Sequence, residues 1–144
     1  MKVSDVLGSK GTGVATIGPT ASVAELVAAL AENRVGALVV TKGGASIVGI
    51  VSERDVAQAL NVHGAATLGL TVADLMTREV QTCTPDDSIR DLARTMTDGR
   101  FRHMPVLTDG VLGGIVSIGD IVKRRIDELE TEQDQLFEYI STAQ

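Results

Sequence analysis

One short phrase occurs twice in this chain of 144 residues: Gly49-Ile50-Val51-Ser52-Glu53-Arg54-Asp55 returns in the second half as Gly114-Ile115-Val116-Ser117-Ile118-Gly119-Asp120. Both copies read Gly-apolar-apolar-Ser-x-x-Asp and put the Ser and Asp where an apolar strand gives way to a helix. A fold for this chain must therefore hold two copies of one supersecondary unit, arranged so that each covers what the other leaves exposed. Further echoes keep the same order. Val3-Ser4-Asp5-Val6-Leu7 answers to Val72-Ala73-Asp74-Leu75-Met76, Val14-Ala15-Thr16-Ile17-Gly18-Pro19 to Val80-Gln81-Thr82-Cys83-Thr84-Pro85, and Ser22-Val23-Ala24-Glu25-Leu26 to Ser88-Ile89-Arg90-Asp91-Leu92. The register drifts at the Gly8 to Gly13 loop. It drifts again where Lys42-Gly43-Gly44-Ala45-Ser46 makes a longer turn than Thr108-Asp109-Gly110, both places where insertions cost little.

Within each copy the periodicity predicts β-α-β-β-α. Val14 to Ile17 reads as a strand. Ser22 caps a helix with Val23, Leu26, Val27 and Leu30 at helical spacing, and Gly36 ends that passage. Ala37 to Val40 and Ile47 to Val51 are continuous apolar runs around a Gly-rich turn, so they read as a hairpin buried on both faces, after which Ser52 opens a helix. The second half repeats this with a strand Val80 to Cys83, a helix from Asp87 or Ser88 through Met96, strands His103 to Leu107 and Val111 to Val116, and a helix from Ser117. The class expected is α/β (α+β), with the two units packed as a pseudo-two-fold pair. Residues 1–62 form the first repeat, 63–71 a linker in which His63-Gly64 and Gly69 break the closing helix, and 72–125 the second repeat. Residues 126–144 extend the last helix. Val122, Ile126, Leu129, Gln133, Leu136 and Ile140 step along it by four and three, the spacing of a coiled-coil seam, so a homodimer is expected.

Composition removes several classes of function. A formal charge of −6 speaks against a nucleic-acid surface, and one Tyr, two Phe and no Trp leave little for stacking on bases. The lone Cys83 cannot form an internal disulfide, which suits a reducing cytoplasm. The start of the chain shows no export signal, and no stretch approaches the ~20 apolar residues of a membrane span. The Gly8-x-x-Gly11-x-Gly13 pattern follows a helix and lacks the Gly-Lys-Ser/Thr ending of a phosphate loop. His63 reads as a solvated turn residue and Cys83 as a small core hydrophobe. Asp86-Asp87 read as helix-start carboxylates. No nucleophile, base and oxyanion site assemble, so no enzyme is expected.

The repeated corners have two readings. Ser52 and Ser117 are good N-caps, and an acid three residues on imitates a capping box, although that motif prefers Glu or Gln. Alternatively, each helix N-terminus faces a cleft, with unpaired N–H groups for a phosphate and the Asp carboxylate for two ribose hydroxyls. Recurrence of the same Ser and Asp in both halves favours the second reading.

These motifs resemble the tandem CBS domains, whose repeats end in a Gly-apolar-apolar-Ser/Thr-x-x-Asp element. Arg102-His103-Met104-Pro105-Val106 resembles that family's second-strand pattern. The likeness covers residues 1 to 125 or so. It implies two repeats packed through their sheets, with adenosine-containing ligands such as AMP, ADP, ATP, S-adenosylmethionine or NAD in the clefts between them, and a regulatory role felt by a downstream protein. Residue by residue it implies that Asp55 and Asp120 hold ribose, that Ser52 and Ser117 lie near phosphate, and that Arg102 and His103 add donors. The base is expected against Thr16-Ile17 and Gly36-Ala37 in one cleft and against Thr82-Cys83, Pro85 and Met104-Pro105 in the other. The first half lacks the basic residue and the Pro of the second, so the clefts should differ; Arg34 or Arg54 could supply the charge, and the sequence does not choose. The alternative is a structural or adaptor protein that works through its last helix and binds no nucleotide.

Overall fold

The computed structural model describes residues 1–44 and 46–143, so the turn expected through Ala45 lies partly outside the described residues, as does the last residue of the extension. In chain order the elements are α1 (Val3–Lys10), β1 (Thr16–Ile17), α2 (Val23–Asn33), β2 (Ala37–Lys42), β3 (Ser46–Ser52), α3 (Glu53–His63), a 3-10 helix Gly64–Gly69, α4 (Val72–Leu75), α5 (Ile89–Gly99), β4 (His103–Thr108), β5 (Val111–Ser117) and α6 (Ile118–Thr142). One sheet has the order β1-β2-β3, with β1 parallel and β3 antiparallel to β2; the other is the antiparallel pair β4-β5.

Several expectations need correction. The strand expected over Val14 to Ile17 is only Thr16–Ile17, and that over Val80 to Cys83 shrinks to one parallel bridge, Cys83 to Val106. Prolines explain the second case. Cys83 N–H donates to the Pro105 carbonyl at 3.0 Å, and the Leu107 N–H donates to the Cys83 carbonyl at 2.8 Å. The next rungs of a parallel ladder would need N–H groups on Pro85 and Pro105, which have none. The first long helix ends not at Gly36 but at Arg34, held left-handed at φ 54°, and Arg100 closes α5 in the same way at φ 57°. β2 is buried from Ala37 to Thr41, with Lys42 exposed, whereas β3 lies at the sheet edge and alternates. Between the halves α3 ends at His63 and a 3-10 helix follows, in which Thr67, fully buried, donates its hydroxyl to the Ala59 carbonyl at 3.0 Å.

The cores cross the boundary between the sequence halves. Val3, Val6 and Leu7 of α1 pack with Cys83, Ile89, Leu92, Met96, Met104, Val106, Val116 and Ile121, whereas Val72, Leu75 and Met76 pack with Leu26, Leu30, Leu38, Val40 and Val51. Matching backbone bonds fix the exchange. Val3 N–H donates to the Asp87 carbonyl and Ser4 N–H to that of Pro85, both at 2.9 Å; in the other half Val72 N–H donates to Ala21 at 2.8 Å and Ala73 N–H to Pro19 at 2.9 Å. The glycine that opens each repeated phrase is where the exchanged segment crosses the sheet. A Cβ on Gly49 would lie 2.7 Å from Met76 Sδ and 2.9 Å from the Thr77 carbonyl oxygen, and one on Gly114 would lie 2.7 Å from Leu7 Cδ2.

Both Gly→Ala changes should therefore destabilise by overpacking, of the order of 1–3 kcal/mol. Gly49→Ala should cost the more of the two in urea denaturation, because the Thr77 main chain cannot swing aside as the end of the Leu7 side chain can. No cost at either position would show that the crossing segments are not held against the sheet.

Candidate functional site

At the first corner, antiparallel pairing sets Ala37 opposite Ser52, which brings the Gly36 carbonyl to the start of α3, where it accepts from Glu53 N–H at 2.9 Å. The Asp55 carboxylate folds back on the cap: its Oδ2 accepts from Ser52 N–H at 2.8 Å and from Ser52 Oγ–H at 3.1 Å, while Ser52 Oγ accepts from Asp55 N–H at 3.4 Å. The second corner repeats this. Ile118 N–H donates to the Arg102 carbonyl at 2.8 Å, Asp120 Oδ2 accepts from Ser117 N–H at 2.9 Å, and Ser117 Oγ accepts from Asp120 N–H at 3.2 Å.

The expectation of unpaired N–H groups awaiting a phosphate is thus corrected. Most donors of the first turn are already taken by the neighbouring strand and by the cap, so any anion there must be met mainly by side chains. The same carboxylate device also caps the N-termini of α1 and α4. Asp5 Oδ2 accepts from Lys2 N–H at 2.8 Å, and Asp74 Oδ2 accepts from Thr71 N–H at 2.9 Å. Recurrence of an Asp at this position is therefore capping chemistry in this fold and does not by itself mark a cleft.

What sets the first corner apart is the space beside it. A cavity of about 510 Å³ joins Gly36, Ala37, Ser52, Arg54 and Asp55 of the first half to Arg102 and His103 of the second. That size suits a nucleotide-scale ligand. Its other walls, which the sequence did not single out, are Ile50, Glu53, the Thr77 and Glu79 to Gln81 segment, and Gly99 to Phe101. The echo of Asp5 in Asp74 could have pointed to the Thr77–Gln81 segment, since each acid opens the helix that is exchanged. Of the two arginines expected to offer charge to the first half, Arg54 lines this cavity, with its Nη1 3.5 Å from the Arg100 carbonyl oxygen. Arg34 instead lines a shallower groove with Val27, Leu30 and Val56. Asp55 Oδ1 makes no hydrogen bond or ion pair among the described residues, which leaves it able to accept.

The remaining expected residues are not in this cavity. Thr16 and Ile17 lie on β1, Thr82 is exposed, and Pro85 accepts from Ser4 N–H with its carbonyl. Cys83 and Met104 are core residues, and Cys83 has both backbone groups engaged; its thiol is pushed up to about 12 by burial first and by Asp87 second. The Pro105 carbonyl already accepts from Cys83 N–H, and Pro105 has no N–H to donate to a base. Ser117 and Asp120 form the second corner, where Lys10 Nζ stands 2.6 Å from Asp120 Oδ2.

His103 stands between the two corners. Its ring is 3.5 Å from where a Cβ on Gly36 would be, and across the β4-β5 ladder it pairs with Ser117. Burial holds its pKa below the ordinary histidine value, Lys10 adds to the shift, and Asp120 and Glu53 oppose it. The Asp120 carboxyl is pushed up by burial, but the hydrogen bond and charge of Lys10 and the Ser117 N–H outweigh this and leave it below the ordinary value.

Comparison with known proteins gives a consistent result. The model of the CBS domain matches residues 3–62 and 72–127. A mitochondrial CBS domain-containing protein of Arabidopsis thaliana is 36% identical over 96% of this chain and 71% of its own length. The crystal structure of a CBS-domain containing protein from Agrobacterium tumefaciens superposes with a TM-score of 0.85 at 42% identity, covering 87% of this chain and 99% of that one. A CBS domain pair crystallised with 5′-methylthioadenosine and S-adenosyl-L-methionine superposes at 0.79 and 25% identity, covering 89% of this chain and 98% of that one.

The depressed His103 pKa carries a sign that can be tested. The unfolded chain takes up this proton at a higher pH than the folded one, so the stabilisation is complete above the ordinary histidine value of 6.5 and is lost as pH falls through the lower folded value. Urea unfolding of the wild type should show stability declining as pH drops below 6.5, and His103→Gln should flatten that part of the profile. An unchanged slope in the variant would remove His103 as its cause.

Proposed function

Because the chain belongs to the CBS domain family and carries two of its domains in tandem, we propose that this regulatory ligand-binding module senses an adenine nucleotide, AMP, ADP, ATP or NAD, in the cavity at the Ser52–Asp55 corner. The observation that carries the reading is that this cavity gathers a carboxylate with a free oxygen, Asp55, with the cations Arg54 and Arg102 at the junction of the halves. A carboxylate suits a ribose diol, and guanidinium groups suit phosphate. Ala37, Ile50 and Val80 offer an apolar wall for a base. That a related domain pair was crystallised with two adenosyl compounds supports the ligand class. Two regulatory domains, with no catalytic domain between them, account for the matched residues.

In this reading the ligand ties the two halves together across the cavity. It shifts the pair toward one arrangement only to the extent that it binds that arrangement more tightly, and a downstream protein reads the result. We place this in the cytoplasm on the strength of the lone buried thiol. Among the described residues no helix is long and apolar enough to cross a membrane. The working form is a homodimer joined through α6, because Val122, Ile126, Leu129, Leu136 and Ile140 leave an apolar stripe along that helix about half exposed.

The recurrence of the cap at Asp5 and Asp74 favours the rival reading, an adaptor that binds no nucleotide, and it also supplies the control. Titration calorimetry with AMP should show that Asp55→Asn removes one binding event, weakening it by about tenfold or more. Asp74→Asn perturbs an equivalent cap away from the cavity and should leave binding intact. No heat with any of the four nucleotides would establish the adaptor instead, and equal effects of the two variants on binding would remove Asp55 as the residue that holds the ligand. By sedimentation, Leu129→Glu should convert the dimer to monomer while the nucleotide titration persists, since a charge in the seam cannot be buried without a partner.

A further inference from the structure

The outer half of α6 stands clear of its own domains. Ile121, Arg124 and Glu128 turn toward the body of the protein, whereas every residue from Leu129 to Ala143 is exposed. A lone helix of that reach gains little from its own hydrogen bonds in water, so its outer part needs something to pack on. The seam runs from Val122 through Gln133 to Ile140, and two features along it distinguish the ways in which a second copy can lie there.

The first feature is the charge beside the seam. Lys123 and Arg125 flank its inner end and Glu130 and Glu132 its middle, while the exposed Phe137 and Tyr139 flank its outer end. In a parallel pair a flanking residue meets the partner's flanking residue about five positions further on, so Arg125 faces the partner's Glu130, twice by symmetry, and no like charges meet. Arg125 already holds Glu128 through Nη1 at 2.7 Å, and its guanidinium has donors left for a second carboxylate. In an antiparallel pair that overlaps along the whole seam, Glu130 faces its own copy and so does Glu132. Sliding that pair by a heptad sets Lys123 and Arg125 against these acids, but it carries Leu136 to the partner's Gly119 and Ile140 beyond the start of the partner's helix, outside the coil.

The second feature is Gln133, the polar residue of the seam. In a parallel pair it meets its own copy, and the two amides can bond to each other. In the antiparallel pairs it faces Leu129 or Val122 with its amide unmatched. We propose that α6 pairs in parallel and in register with α6 of a second copy, so that both domain pairs stand side by side at the root of one coil. The inference rests on the dimer reading above and adds which way the partner lies.

The test places single cysteines on α6 and measures disulfide-linked dimer under oxidised glutathione. Cys83 is buried, so only the introduced thiol reports. Leu136→Cys and Ile140→Cys should each link to its own copy, because parallel seams in register bring identical positions within reach of a disulfide. Thr131→Cys, on the opposite face of the helix, should not. A fully overlapped antiparallel pair would instead link a mixture of Ile126→Cys and Leu136→Cys while each alone stays unlinked. By sedimentation, Glu130→Arg should weaken the dimer about fivefold, and adding Arg125→Glu should restore it, since the exchange rebuilds the parallel pairing and neither antiparallel one. A wild-type dimer whose Leu136→Cys and Ile140→Cys variants stay unlinked, or a double exchange that recovers nothing, overturns the inference. A wild type that sediments as a monomer removes the dimer itself, and this inference with it.

Discussion

The exchange of α1 and α4 between the two half-cores is the constraint on which the rest of the structure depends. Each is short, α4 having only 4 residues, and neither could persist as an isolated helix. Each survives because it fills a groove in the opposite half, with Val3 and Val72 fully buried and the main chain bonded across the junction. Gly49 and Gly114 let the crossing segments lie against the sheets. Neither half can therefore complete its core without a piece of the other, and the seam between them is fixed in geometry.

That seam is also where the cavity forms. Helix capping alone would have produced the Ser52–Asp55 arrangement, since Thr71–Asp74 achieves the same hydrogen bonds without forming part of the cavity. The exchange adds the rest. It carries the Thr77–Gln81 segment beyond α4 to the first corner, while the left-handed turn at Arg100 directs Arg102 and His103 toward Gly36. Function in this reading comes from where a routine cap has been placed.

Duplication gave two corners, and later divergence made them unequal. The N-terminal segment through α1 is bound to α6 at three points: Lys10 on Asp120, Arg124 Nη2 donating to the Asp5 carbonyl at 2.7 Å, and the Met1 amino group 3.7 Å from Glu128. The second corner is thus mechanically joined to the root of the one long helix, and α6 carries the exposed apolar stripe.

The sequence by itself determined the duplication, the strand pairs β2-β3 and β4-β5, the caps at Ser22, Ser52, Ser88 and Ser117, and the reach of α6, because each follows from neighbours a few residues apart. It also identified seven residues that line the cavity, from Gly36 and Ala37 to Arg102 and His103. It misjudged the first strand of the second half, where Pro85 and Pro105 remove the donors that apolar periodicity takes for granted. Only the tertiary structure decided that α1 belongs to the second core and α4 to the first, that Arg54 rather than Arg34 faces the cavity, and that a lysine stands at Asp120 and a glutamate near Asp55. The reason is physical: those outcomes rest on contacts between residues as far apart as Lys10 and Asp120, and such pairings are set by the packing of apolar faces, which leaves no periodic trace in the chain.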